Sequence, residues 1–140
     1  MRALTIGELA RATGVTHSAL RYWEEQGLLP TPARVAGKRR YPESSVTLVA
    51  EILLLQDAGF THREIAAVLA SRAGGDTGWR ELHERKLAEL DERLARIQAA
   101  RTGIAHTLAC RHTDIRACPT FGRLVAARLT GSPLHESHPG

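Results

Sequence analysis

The stretch "TIGELARATGVTHSALRYWEEQGLLP", residues 5–30, decides the fold, because it contains two short amphipathic segments separated by a glycine. Thr5 followed three residues later by Glu8 is the pattern of a helix N-terminal capping box. Gly14 is predicted to end this first helix, and a second helix is predicted to begin after Thr16. Two short helices joined by a turn that contains glycine form a helix-turn-helix, although a plain helical hairpin has the same outline.

The next segment, "LPTPARVAGKRRYPE" (residues 29–43), is predicted to form a short two-stranded wing. Its prolines oppose helix because proline lacks a backbone N–H, and Gly37 permits a tight turn between two extended arms. Arg34 lies on one arm, and residues 38–40, all of them basic, lie on the other. The wing therefore concentrates positive charge on a few neighbouring residues.

Three further helices are predicted. Pro42 suits the first position of a third helix, and Thr61 with Glu64 repeats the capping-box pattern for a fourth. The segment "RAGGDTG", residues 72–78, then interrupts the helical pattern with its glycines. One long helix is predicted from about Gly78 to Ala109, since its apolar residues keep helical spacing.

The long helix carries an apolar stripe whose residues are spaced alternately three and four apart, with one gap that Arg101 fills. Glutamates four residues before arginines on its other faces indicate a solvated surface. A helix of this length has little to pack against in a small chain, so the stripe predicts an antiparallel or parallel coiled coil with a second copy. Packing against the chain's own N-terminal domain is the alternative. The predicted dimerisation residues are Leu87, Leu90, Leu94, Ile97, Ile104 and Leu108.

Positive charge is concentrated in the first third of the chain. The 140 residues have a net charge of +4, and residues 1–45, with seven basic and four acidic side chains, hold +3 of it. A localised basic excess favours a polyanion partner, most simply nucleic acid. Charge alone is equally typical of a solvated surface.

Composition and motifs exclude several classes of protein. No apolar signal segment opens the sequence, and the longest apolar stretch, "LVAEILLL", is too short to cross a membrane and includes Glu51. We therefore expect a cytoplasmic protein with no membrane partner. The sequence has no glycine-rich phosphate loop, no paired carboxylates in a cleft and no nucleophile motif, so we do not expect an enzyme.

Both cysteines of the chain, Cys110 and Cys118, lie in the stretch "ACRHTDIRACP", residues 109–119. In a cytoplasmic protein an isolated cysteine pair is more often a metal or redox site than a structural disulfide. His112 and Asp114 are further candidate ligands, which zinc would accept in a tetrahedral set. Cys118 precedes a predicted helix, whose N-terminal dipole lowers the pKa of a thiol and favours the thiolate.

The segment "PTFGRLVAARL" after Cys118 is predicted to form a short amphipathic helix, and the residues that follow it a disordered tail. The predicted organisation is a winged helix-turn-helix domain at 1–75, a dimerisation helix at 76–109, an effector loop with a short helix at 110–130, and the tail at 131–140.

This order of parts resembles the MerR family of bacterial transcription regulators. The likeness rests on the first stretch quoted above, on "ARVAGKRRYPESSV" at residues 33–46, and on the long helix. Lys38 stands where the wing tip of the family usually has an aromatic residue. The residues that match the family signature are Arg21, Tyr22, Trp23, Glu24, Gly27, Leu28, Arg34, Gly37, Arg39 and Tyr41.

The resemblance implies a mainly α fold, in which a winged helix-turn-helix DNA-binding domain precedes a long dimerisation helix in an antiparallel coiled coil. A short effector loop with a terminal helix would follow. The implied function is that of a homodimer that binds promoter double-stranded DNA and distorts it in response to an effector, so that RNA polymerase can use the promoter.

The N-terminus of the second helix would read base edges in the major groove, and cations of the helix and wing would hold phosphates. Trp23 is expected in the core instead, because an indole close to several leucines packs readily. The expected DNA-binding residues are Thr16, His17, Ser18, Arg21, Tyr22, Arg34, Lys38, Arg39, Arg40 and Tyr41.

The resemblance also implies a metal site. In metal-responsive members of the family the loop after the long helix holds the effector, and a Cys-x7-Cys pair binds copper(I), silver or gold. Cys110 and Cys118 have this spacing. Members that respond to divalent metals usually add a partner cysteine near the start of the long helix, where this chain has "GDTGW". We therefore expect a bound metal ion, with copper(I) slightly ahead of zinc(II), and His112 and Asp114 as additional candidate ligands.

Other functions stay open at this point. A reversible disulfide would make the chain a thiol-redox regulator, and the same loop could respond to an organic ligand. A metal-binding protein without a regulatory role is a more distant alternative. A steep salt dependence of promoter binding would separate that alternative from a regulator.

Overall fold

A computed structural model describes residues 3–137 of the chain. The elements, in chain order, are β1 (Ala3–Leu4), α1 (Ile6–Thr13), α2 (His17–Glu25), β2 (Ala33–Val35), β3 (Lys38–Pro42), α3 (Ser45–Asp57), α4 (His62–Ala73), α5 (Gly78–Ala109), a 3₁₀ helix (Ile115–Ala117), α6 (Pro119–Leu129) and α7 (Leu134–Ser137). The predicted mainly α fold, with a winged helix-turn-helix followed by a long helix, is confirmed.

The chain divides into two compact units, Met1–Lys86 and Leu87–Gly140. The division falls within α5, whereas the sequence predicted domain boundaries at the two ends of this helix. Those boundaries stay predictions.

Capping boxes fix the starts of α1 and α4, as predicted. The Thr5 hydroxyl accepts from the backbone N–H of Glu8 at 3.1 Å, and the Glu8 carboxylate accepts from the backbone N–H of Thr5 at 3.1 Å. Thr61 and Glu64 make the same reciprocal pair at the start of α4. Each box satisfies two backbone donors that a helix start leaves without an internal partner.

The wing is part of a three-stranded antiparallel sheet in the order β1-β3-β2. The sequence predicted only two of these strands, because β1 is two residues long. Pro42 does not open a helix: it ends β3 opposite Ala3, and α3 begins three residues later. The β2–β3 turn consists of Ala36 and Gly37, both at positive φ, which is the geometry of a two-residue hairpin turn that matches strand twist.

The first unit has one hydrophobic core between its helices and the sheet. Trp23 is among the buried residues, so its predicted place in the core is confirmed. The core residues buried in this unit are Leu4, Leu9, Leu20, Trp23, Leu28, Leu29, Tyr41, Val49, Ile52, Phe60, Ile65 and Val68.

Polar contacts hold the first turns of α5 to the rest of the first unit. The Ser71 hydroxyl donates to Asp76 and accepts from the backbone N–H of Trp79 at 2.8 Å. Lys86, only 5% exposed, forms a 3.0 Å ion pair with Glu64 on α4. The start of the long helix is therefore a fixed part of this unit.

The second unit contains the rest of α5, the 3₁₀ helix, α6 and α7. A disordered tail was predicted from residue 131 onward, but Leu134–Ser137 form α7, so the prediction is wrong for these four residues. Residues 138–140 of the predicted tail lie outside the described residues. Backbone N–H groups of this segment return to Pro133, whose fixed φ suits the start of a helical turn.

Candidate nucleic-acid interface and metal centre

The start of α2 presents three exposed polar residues, Thr16, His17 and Ser18. Thr16 is the N-cap, and its hydroxyl accepts from the backbone N–H of Ala19 at 3.2 Å. This hydrogen bond engages the Thr16 hydroxyl oxygen in capping the N-terminus of α2. The neighbouring side chains of His17 and Ser18 are thereby placed on a fixed helix N-terminus.

Cations of α2 and the wing line one groove of about 280 Å³, here called the basic groove, which is defined by Arg21, Lys38, Arg39 and Arg40. Four of the cations predicted to contact DNA therefore lie together. Arg34 does not line this groove; its guanidinium donates to the carbonyl oxygen of Gly37 at the wing turn, 3.2 Å away. Clustered guanidinium and ammonium groups attract phosphate over distances of about a Debye length, roughly 8–10 Å at physiological salt.

Glu24 links α2 to the wing. One of its carboxylate oxygens accepts from Arg39 Nε at 3.3 Å and from the Tyr41 hydroxyl at 3.1 Å. Burial, followed by the hydrogen bond to Glu24, raises the pKa of Tyr41 to about 12. The phenol therefore stays protonated and donates.

Tyr41 was predicted to bind DNA, and its burial contradicts this. Its side chain is only 1% exposed, so it supports the wing from inside. Sequence reasoning also missed a contact beside α2: the rings of Tyr22 and His62 lie 5.8 Å apart, and His62 Nε2 is 2.8 Å from the side-chain nitrogen of Gln56. This contact places the exposed Tyr22 ring next to the start of α4.

Three side chains of the second unit form the thiol cluster, defined as His106, Cys110 and Cys118. Their ligand atoms all lie within 4.8 Å of one another, and they are the one group of this kind in the described residues 3–137. His106 comes from α5, Cys110 follows the end of that helix, and Cys118 directly precedes α6. Both thiols are free.

Cys118 is the N-cap of α6, and Pro119 takes the first helical position, as the sequence predicted. Its side chain is 4% exposed. A hydrogen bond between Cys118 Sγ and His106 Nε2, 3.3 Å apart, is the largest cause that lowers the pKa of Cys118 to about 6; backbone N–H groups of Phe121 and Thr120 add to it. The helix N-terminus thus stabilises the thiolate.

The two other predicted metal ligands, Asp114 and His112, are not members of the thiol cluster. Asp114 caps the 3₁₀ helix and forms a 2.9 Å ion pair with Arg116, so the structure does not bring it into the thiol cluster. His112 touches only one member, with Nδ1 3.1 Å from Cys110 Sγ. His106 was missed, although its position four residues before Cys110 puts the two on one helical face.

The apolar stripe of α5 faces outward in the single chain. Its six predicted dimerisation residues have exposed fractions from 36% to 83%. A contiguous row of exposed aliphatic side chains is unusual for the surface of a monomer. These residues are Leu87, Leu90, Leu94, Ile97, Ile104 and Leu108.

Within residues 3–137, no helix is long and apolar enough to cross a membrane.

Comparison with known proteins identifies the family. A family model described as MerR HTH family regulatory protein matches residues 4–72, and one described as MerR, DNA binding, matches residues 46–107. The mercuric resistance operon regulatory protein of Pseudomonas fluorescens is 34% identical over 139 residues, which cover 94% of each chain. The chain belongs to the MerR family.

Two further similarities agree with this membership. The HTH-type transcriptional regulator HmrR of Sinorhizobium medicae is 31% identical over 143 residues, covering 97% of this MerR-family chain and 95% of its relative. The crystal structure of HiNmlR, a MerR family regulator bound to promoter DNA, shares the fold with a TM-score of 0.56 at 18% identity, over 93% of this chain and 96% of that one. The chain is a DNA-binding transcription regulator, and its relatives are regulators and not enzymes.

The lowered pKa of Cys118 predicts a measurable titration in the metal-free protein. In a Cys110→Ser variant, the ultraviolet absorbance of the Cys118 thiolate should appear above a midpoint of about 6 and be lost below it. Replacing His106 with Ala should move this midpoint upward, because the largest stabilising contact of the thiolate is removed. The same variant unfolded in urea is the control, and its midpoint should lie near 8.5, the ordinary value for cysteine. A folded-state midpoint equal to that of the unfolded control would contradict the assignment.

Proposed function

We propose that this MerR-family chain is a homodimeric, metal-responsive regulator that distorts promoter DNA when an ion binds at Cys110 and Cys118. The single observation that carries the proposal is the thiol cluster, in which two free thiols and an imidazole converge within 4.8 Å. The similarity to a mercuric resistance operon regulatory protein supports a metal effector. Thiolate and imidazole donors suit both copper(I) and zinc(II), the two ions that we propose as candidates.

The proposed DNA contacts divide into two kinds. His17 and Ser18, with Thr16, would reach base edges in the major groove from the start of α2. The cations of the basic groove, with Arg34 and Tyr22, would hold phosphates and fix the position of the helix. The partly buried Glu24 carboxylate would keep Arg39 and the wing in register with α2.

The response to metal would begin where three segments meet. An ion bound by the two thiolates would connect the end of α5 to the start of α6 through the loop between them. A ligand shifts an equilibrium only if it binds one state more tightly than the other. We therefore propose that the ion favours the conformation of the second unit in which the dimer distorts the promoter for RNA polymerase.

Replacing Arg40 with Ala tests the phosphate role of the basic groove. Affinity for promoter and for unrelated duplex DNA should fall by similar factors, because a phosphate contact carries no sequence information. The slope of log affinity against log salt should become shallower by about 0.9, the value for one neutralised phosphate. Arg72→Ala is a control of equal charge, since Arg72 pairs with Glu51 at 2.9 Å, outside the groove. An unchanged slope for Arg40→Ala would show that Arg40 does not bind a phosphate.

Replacing Leu94 with Asp tests the proposed dimer. The change puts an unpaired charge into the apolar stripe, at a cost on the order of 3–5 kcal/mol if the stripe is buried in a dimer. Analytical ultracentrifugation should then report a monomer, with helix content by circular dichroism as in wild type. Ala95→Asp, one residue away on the helix and so on another face, should remain dimeric. A Leu94→Asp protein that sediments as a dimer would exclude this stripe as the interface.

Anaerobic titration tests the metal role. The reduced protein should bind copper(I) or zinc(II) more tightly than a Cys110→Ser/Cys118→Ser variant, as measured by competition with a chelator of known affinity. The bound ion should also change the affinity for promoter DNA in the wild-type protein and not in the variant. If neither ion binds wild type more tightly than the variant, the metal-responsive function is wrong.

A reversible Cys110–Cys118 disulfide is a second candidate function. The observation that favours it is the proximity of two free sulfur atoms, within 4.8 Å, with the Cys118 thiolate available at neutral pH to attack. Peroxide would be the oxidant: the Cys118 thiolate would attack one peroxide oxygen and break the O–O bond, which gives a sulfenic acid and hydroxide. The Cys110 thiol would then displace water from that sulfur to form the disulfide. Peroxide that changes promoter affinity reversibly, in a protein that binds neither metal, would establish this function instead.

A further inference from the structure

The position of His106 is not explained by a two-thiolate site. Its Nε2 lies 3.3 Å from Cys118 Sγ, and one of its ring nitrogens lies within 4.8 Å of Cys110 Sγ. Bond lengths of about 2.3 Å to sulfur and about 2.0 Å to nitrogen, at a tetrahedral angle, place two such donors roughly 3.5 Å apart around one zinc ion. The observed separation therefore already fits a shared ion.

We propose that His106 Nε2 is the third ligand of a Cys2His site that is complete within one chain and takes a thiophilic divalent ion of the zinc type. This inference rests on the proposed metal-responsive function and adds the ligand set and charge class of the effector. The ion would take the place of the Nε2 proton that hydrogen-bonds to Cys118 Sγ in the metal-free protein. The imidazole would then carry its proton on Nδ1, since only an unprotonated ring nitrogen can donate to a metal.

Charge favours a divalent ion at these three ligands. Two thiolates and a neutral imidazole neutralise a 2+ ion, whereas a 1+ ion would leave one negative charge at the site. The loop carries two cations, Arg111 and Arg116, and Arg116 is held in its ion pair with Asp114. A linear site for a monovalent ion needs only the two sulfur atoms, so a third donor in place argues for trigonal or tetrahedral coordination.

The cysteine count leaves the third protein ligand to a residue other than cysteine. The chain has only Cys110 and Cys118, and the stretch "GDTGW" at the start of α5 has no thiol for a partner copy to contribute. His106 supplies a donor from the C-terminal part of α5, one helical turn before Cys110. Binding would therefore attach the long helix itself to the ion, together with the loop and α6.

His112 provides a matched control, because it also lies next to a sulfur atom. Its Nδ1 is 3.1 Å from Cys110 Sγ, but it does not belong to the thiol cluster. His106→Ala and His112→Ala each remove one imidazole beside one cysteine. Circular dichroism of the metal-free variants, expected to show the helix content of the wild-type protein, establishes that each variant is folded.

The test measures zinc(II) and copper(I) affinity of the full-length dimer under anaerobic conditions, together with zinc X-ray absorption spectra. His106→Ala should lower zinc affinity at least about tenfold, since even outer-shell partners of a metal contribute that much. Its copper(I) affinity should change less, because the two thiolates remain. The imidazole scattering of bound zinc should be present in wild type and His112→Ala and absent in His106→Ala.

Three results would overturn the inference: unchanged zinc affinity in His106→Ala, imidazole scattering that persists in His106→Ala, or scattering that is lost in His112→Ala. An equal fall in copper(I) and zinc(II) affinity would overturn the preference for a divalent ion. Failure of the proposed function is distinguishable from these results, since wild type would then bind neither ion more tightly than Cys110→Ser/Cys118→Ser.

Discussion

The contact between Cys118 and His106 is the interaction on which the thiol cluster of the second unit depends. It joins residues 12 positions apart in the chain, one on the long helix and one at the first turn of α6. The helix N-terminus and the imidazole together lower the pKa of the Cys118 thiol to about 6. The site therefore holds a thiolate in an otherwise buried position, and a metal ion is the partner that such a donor set suits best.

In the first unit, Glu24 likewise joins two elements of the fold, α2 and the wing. One carboxylate oxygen accepts from the wing through both Arg39 and Tyr41, while α2, which carries Glu24, also carries the side chains proposed to read DNA. Helix α2 and the wing are therefore fixed to each other by a partly buried ionic hydrogen bond. Charge-assisted hydrogen bonds of this type are stronger than neutral ones and define geometry as well as energy.

Local patterns in the sequence were sufficient for much of the fold and part of the site. Capping boxes at Thr5 and Thr61 act within four residues, so their outcome depends little on the rest of the chain. β1, the burial of Tyr41 and the convergence of His106 with Cys118 depend on tertiary contacts, which residue spacing does not encode. Asp114 lies outside the thiol cluster, and its carboxylate pairs with Arg116 two residues later; its role as a ligand stays a prediction.

We propose that an ion at the thiol cluster changes how the bound protein shapes promoter DNA. The most direct test uses a promoter duplex that has been selected by its binding to this protein and that carries a dye at each end. Fluorescence energy transfer between the two dyes is measured with zinc(II) or copper(I) added anaerobically. Metal should change the end-to-end distance of the duplex bound to wild type and leave it unchanged for Cys110→Ser/Cys118→Ser. An equal change in both proteins, or none in wild type while the metal is bound, would contradict it.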